Sequence, residues 1–135
     1  MITEEMFPAL QGVIPSCLVT CNKEGIPNAT YVSQVFYVDD DEVALSFQFF
    51  NKTVRNVREN PYAAVKIFHP GEMKMWDLEL EFDRSETDGD VFDQMEMQLE
   101  AIASMTGMSD VFKLHAADIY KVKSIKPSDH LVKNE

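Results

Sequence analysis

Short apolar, β-branched runs alternate with polar turns along most of this chain. VIPSCLVTC (13–21) reads as a strand, and Asn22-Lys23-Glu24-Gly25 as a turn with glycine at its end. ATYVSQVFYV (29–38) reads as a second strand, Asp39-Asp40-Asp41-Glu42 as a solvated hairpin turn, and VALSFQFF (43–50) as a third strand. Three strands joined by two short turns predict an antiparallel meander. YAAVKIF (62–68) is a fourth strand, followed by a His69-Pro70-Gly71 turn and a fifth strand, MKMWDLELEF (73–82). In that fifth strand Trp76, Leu78, Leu80 and Phe82 alternate with Asp77, Glu79 and Glu81, so one face is predicted buried. ADIYKVKSI (117–125) is the last strand, and the polar tail from Lys126 is expected to be loose.

Three segments carry helical signals. Thr3 is placed to cap a short helix over 4–10 that Gly12 closes. Asn51 is a good N-cap for a helix in which Val54 and Val57 share a face and Asn60-Pro61 makes the stop. Asp88 or Thr87 caps a third helix reaching Met105, with Val91, Phe92, Met95, Leu99 and Ile102 at core spacing and Gly107 just past its end. A short turn over 110–113 leads to the last strand. Six strands and two main helices therefore make one domain over residues 1–135, without repeats or linkers. Six strands with short connections can close into a small barrel, which removes exposed edges.

Charge narrows the partners. With 12 Lys plus Arg against 23 Asp plus Glu, the net charge of -11 argues against nucleic acid or an anionic membrane as the main partner. No apolar run approaches the roughly 20 residues of a transmembrane helix. The opening MITEEMFPALQG is acidic and lacks the basic and apolar regions of an export signal, so a cytoplasmic protein is expected. Cys17 and Cys21 lie four residues apart on one strand face, roughly 13 Å from each other, too far for a mutual disulfide. They are expected to be small buried thiols. His69, His115 and His130 are scattered, and no metal site is expected.

One stretch breaks the acidic pattern. In FFNKTVRNVRENP (49–61), Lys52, Arg55 and Arg58 gather at and beyond a helix start, with Glu59 the one acid among them. Helix N-termini are positive, so cations there are mildly unfavourable unless an anion compensates them. The free backbone N–H groups, the Lys52 ammonium and the Thr53 hydroxyl together suit a phosphate. Ser46, on the preceding strand, offers another hydroxyl. The alternative is a solvated helix whose cations simply face water.

The order of these motifs resembles the pyridoxamine 5'-phosphate oxidase-like FMN-binding split-barrel family. The matching residues are Tyr31-Val32-Ser33-Gln34, Ser46-Phe47-Gln48-Phe49, Asn51-Lys52-Thr53 and Asn60-Pro61-Tyr62-Ala63-Ala64-Val65. The resemblance implies a mainly β fold, a six-stranded antiparallel split β-barrel with two or three helices, dimeric, with FMN between the subunits. It assigns Asn51, Lys52 and Thr53 to the FMN phosphate, with Ser46 and Phe47 on the strand end beside them. Val32, Ser33 and Gln34 would line the isoalloxazine, and Trp76 or its neighbours would come from the partner chain. The single phosphate-like site favours FMN over FAD.

The departures are as informative. True pyridoxamine phosphate oxidases carry an Arg where this chain has Tyr31, and an Arg-Lys pair where it has Lys52-Thr53. They also carry an Arg- and Trp-rich C-terminal extension that SIKPSDHLVKNE does not match. Oxidation of vitamin B6 phosphate is therefore not expected. No G-x-S-x-G, H-E-x-x-H or paired-cysteine motif names a catalytic residue, and a flavin protein needs none. The reading is a flavin-dependent oxidoreductase acting on a small molecule. A flavin- or ligand-binding sensor without turnover is one alternative. A haem-binding split barrel, with His69 and His115 as candidate axial ligands, is another.

Overall fold

A computed structural model describes residues 1–11, 15–32, 34–47, 51–106 and 114–128. A single turn of tight helix, Glu4–Met6, runs into α1 (Phe7–Leu10). Then follow β1 (Ser16–Cys21), β2 (Pro27–Val32), β3 (Phe36–Asp39), β4 (Glu42–Phe47), α2 (Asn51–Glu59), β5 (Tyr62–His69), β6 (Lys74–Glu86), α3 (Asp90–Thr106) and β7 (Ala116–Pro127). All seven strands belong to one antiparallel sheet of order β2-β1-β5-β6-β7-β4-β3. No ladder joins β2 to β3 among the described residues, so the sheet is not closed. This is a mainly β split barrel with three helices. The expected closing glycines Gly12 and Gly107, the turn over 110–113 and the tail beyond Ser128 lie outside the described residues.

Two features differ from the sequence expectation. The second predicted strand is really two, which raises the count from six to seven. Val35 leaves the ladder to enter the core, 1% exposed, and its N–H donates to the Leu10 carbonyl at 3.0 Å. That inward step separates β2 from β3. The expected meander is also absent, because β1 gives its second edge to β5 and β4 gives its second edge to β7. Two hairpins, β1–β2 and β3–β4, thus stand at opposite ends of the sheet. The long β6 joins them through β7, and register shifts at Glu79/Leu80 and Phe82/Arg84 let it bend.

The sheet wraps one core and carries a second on its outside. Inside lie Leu18, Val65, Ile67, Trp76, Leu78, Leu80 and Tyr120, joined by Ile2 and by Met6, Ala9 and Leu10 of the N-terminal helices. Trp76, Leu78 and Leu80 follow the predicted alternation of β6. Outside, α3 lays Met95, Val91, Phe92 and Leu99 on Phe36, Ala44, Ala117 and Ile119. Those are the apolar positions its helical spacing predicted; the side chain of Ile102 lies outside the described residues. The two cysteines are half-buried rather than buried, because β1 turns Ser16, Leu18 and Thr20 inward and Cys17 and Cys21 outward.

Candidate functional site

Helix α2 follows the short connection after β4, and its inner face decides where its cations go. Asn56 and Val57 are buried, and Asn56 Nδ2 donates to Thr20 Oγ1 on β1 at 3.1 Å. This pins one side of the helix to the sheet. Lys52, Arg55 and Arg58 consequently point to solvent, and Thr53 is half-buried. The helix ends as predicted at Asn60, whose N–H donates to the Asn56 carbonyl at 2.7 Å. Helix α2 includes Asn51 as its first residue rather than as the cap before it.

The ladder brings several predicted residues to this end of the sheet. Ser46 pairs with Ala117 and Phe47 with Ala116, at the start of β7. Phe36 pairs with Ala44 on β3 and β4, and Gln34, half-buried, lies two residues before β3. Val32 closes β2, half-buried against the barrel core. Ser33 and the side chains of Phe47 and Asn51 lie outside the described residues. Trp76 does not join the group within one chain. It pairs across β7 with Pro127, ten residues beyond Ala117, or up to about 33 Å of strand. Its ring is 8% exposed and belongs to the chain's own core. The neighbour that this end of β6 shows outward is Met73, 72% exposed.

Beside Gln34 runs a groove of about 730 Å³ between α1, β3 and α3. Gln34 Nε2 donates across it to Gln98 Oε1 at 3.0 Å. The sequence reading missed this groove. The signal for it was Gln94 and Gln98, four residues apart on a helix whose other polar positions are mostly acidic.

Two perturbed groups lie nearby. Asp118, 5% exposed on β7, pairs with Leu45 next to Ser46. Burial pushes its carboxyl above the usual value, while a 2.6 Å hydrogen bond donated by Ser85 Oγ and the field of Arg58 oppose the shift. Tyr120, buried beside it on β7, is pushed up by burial and by the Asp118 charge. Among the described residues no three metal-ligating side chains converge, and no helix is long and apolar enough to cross a membrane.

The family model for pyridoxamine 5'-phosphate oxidase matches residues 2–123. The chain belongs to this family. Within the family's fold, this pyridoxamine 5'-phosphate oxidase-like chain is similar to an FMN-binding protein from Syntrophomonas wolfei subsp. wolfei, with TM-score 0.75 and 17% identity over 92% of this chain and 86% of that one. It is also similar to HutZ, the heme storage protein from Vibrio cholerae, with TM-score 0.61 and 15% identity over 90% and 89%. An uncharacterized protein of Methanocaldococcus jannaschii is 33% identical over 66 residues, 47% of this chain and 44% of that protein. The match thus spans less than half of that relative.

Proposed function

We propose that the chain binds FMN as a homodimer and acts as a flavin-dependent oxidoreductase on a small molecule. The observation that carries this reading is the presentation of α2. Its inner side is fixed by Asn56 and Val57, and its first turn holds Lys52 in solvent with Thr53 half-buried next to it. That turn offers backbone N–H groups, a full positive charge and a hydroxyl, the donor set a phosphate takes. Ser46 lies on the strand that feeds this helix. Gln34, two residues past β2, presents a carboxamide suited to the hydrogen-bonding edge of a flavin ring. Bound FMN would supply the redox chemistry, and the chain's residues would bind and orient it.

Family membership does not carry the family's named reaction to this chain. Tyr31 stands where true pyridoxamine phosphate oxidases have Arg, and its side chain is outward, 73% exposed. The likeness to a heme storage protein favours haem as the second reading. Within one chain, His69 and His115 cannot grip the same iron. His69 pairs with Lys74 at one end of β6, while Ala116 next to His115 lies beside the other end, where Glu86 pairs with Ala117. The thirteen residues of β6, up to about 40 Å of strand, run between those ends. The absorption spectrum of the purified protein, followed by reduction with a chemical hydride donor and a search for turnover, tests both readings. Flavin bands with turnover support the proposal. Flavin bands without turnover indicate a sensor, and a Soret band with no flavin overturns the proposal in favour of haem.

A further inference from the structure

The groove between α1, β3 and α3 has a composition unlike that of a phosphate site. Its walls are apolar: Phe7 and Leu10 from α1, Phe36 and Val38 from β3, Val91 and Met95 from α3. Its polar groups are chiefly carboxamides, from Gln11, Gln34, Gln94 and Gln98. No Lys, Arg or His lines it among the described residues. The N-terminus of α3, which would otherwise favour an anion, begins with Asp90 on the groove wall and carries Asp93 in its first turn. A net charge of -11 adds to the bias against anions. The volume of about 730 Å³ lies within the usual range for a small-molecule site.

We propose that this groove is a binding site for an uncharged, flat ring compound bearing a carboxamide or similar paired donor and acceptor. A carboxamide carries two donors and an acceptor on one planar head, and the Gln34–Gln98 clasp can open to match them. Apolar walls on both sides cover the ring. A carboxylate or phosphate entering the same place would lose its hydration with no cation to replace it, and Asp90 would repel it. Gln34 lines the groove and is also one of the residues proposed for the flavin ring. The name of substrate, rather than simple ligand, therefore rests on the flavin reading; binding itself does not.

The matched pair benzamide and benzoate, alike in shape and different in charge, tests the inference. The purified full chain is titrated with each, with and without FMN, while the side-chain NH₂ signals of Gln34 and Gln98 and the methyl signal of Met95 are followed by NMR. Saturable shifts at all three are expected with benzamide, and binding at least about tenfold weaker with benzoate. Gln98→Glu, on the exposed side of α3, should weaken benzamide at least about fivefold, whereas Glu100→Gln, outside the groove, should leave it unchanged. Benzoate binding as well as benzamide, or benzamide shifting none of the three signals, overturns the inference. FMN affinity is read separately in the same samples. Benzamide binding without FMN binding would retain the groove and reject the flavin reading; the reverse would do the opposite.

Discussion

At position 52 a cation sits on the outward side of α2, while Asn56 and Val57 hold the inward side. A charge-assisted hydrogen bond from Lys52 to a phosphate dianion is worth about 1.5–3 kcal/mol. Lys52→Ala should then weaken FMN binding by about ten- to a hundredfold, and riboflavin binding far less, since riboflavin has no phosphate. Calorimetric titration of both flavins into both proteins decides it; equal FMN affinities would make Lys52 a solvated surface residue. The charge at this position was legible in the sequence because three cations stood out in an acidic chain. Asp118 was not legible. A lone acid in a strand pattern gives no sign of its burial until β7 is found between β4 and β6. Its folded-state carboxyl titrates above the ordinary value of 3.8. Between those two values the folded protein keeps a proton that the unfolded chain has released. Stability therefore falls as pH rises through that window and stays lowered above it. Asp118→Asn removes the ionisation and leaves an oxygen to accept from Ser85. Its Tm should exceed that of wild type at pH 7, with the gap closing as pH falls toward 3.8. A lower Tm at pH 7 would mean that the attraction of Arg58 outweighs the burial cost.

Among the elements, β6 and α3 were read most directly, because each shows a clean period against a charged background. The break between β2 and β3 was hidden for the opposite reason. Residues 29–38 are almost all compatible with a strand, and Val35 fits an outward or an inward position equally well. Only packing against α1, where the Leu10 carbonyl receives the Val35 N–H, settles it. Pairing order was hidden too, since short turns favour neighbours in sequence but cannot say which second edge a strand will use. Helix α3 supplies a prediction of its own. Glu96 and Glu100 are exposed and lie outside the groove, on a different element from the turn of α2 proposed to hold the phosphate. Changing both to Gln should leave FMN affinity within a few fold, because solvent and salt screen exposed charges that make no direct contact with the ligand. A loss of about a hundredfold would place this helix against the flavin phosphate.

At the scale of the molecule, the open end of the sheet is the feature that a single chain leaves unexplained. On the outer face of β2, β1 and β5 the registers set Tyr31 beside Cys17, Ala29 beside Val19, and Val19 beside Ala64. Tyr31, Val19, Tyr62 and the adjacent Ile26 are all exposed. The same face turns charged further across, where Lys66 meets Asp77 at 2.7 Å and Lys126 approaches Glu79 at 3.6 Å. An apolar patch rimmed by charge is the pattern of an interface. Within one chain, moreover, Trp76 pairs with Pro127, ten residues along β7 from the Ala117 that pairs with Ser46, so under the proposed flavin reading that end of the barrel would have to come from a second copy. Tyr31→Asp should place a charge in the middle of the patch without touching the core. Sedimentation is expected to find wild type at twice the mass of one chain and the variant at the mass of one. FMN should be lost in the same step, since half of a composite site holds a flavin poorly. A monomeric variant that keeps wild-type FMN affinity would show that one chain makes the whole site, and a dimeric variant would move the interface to another face.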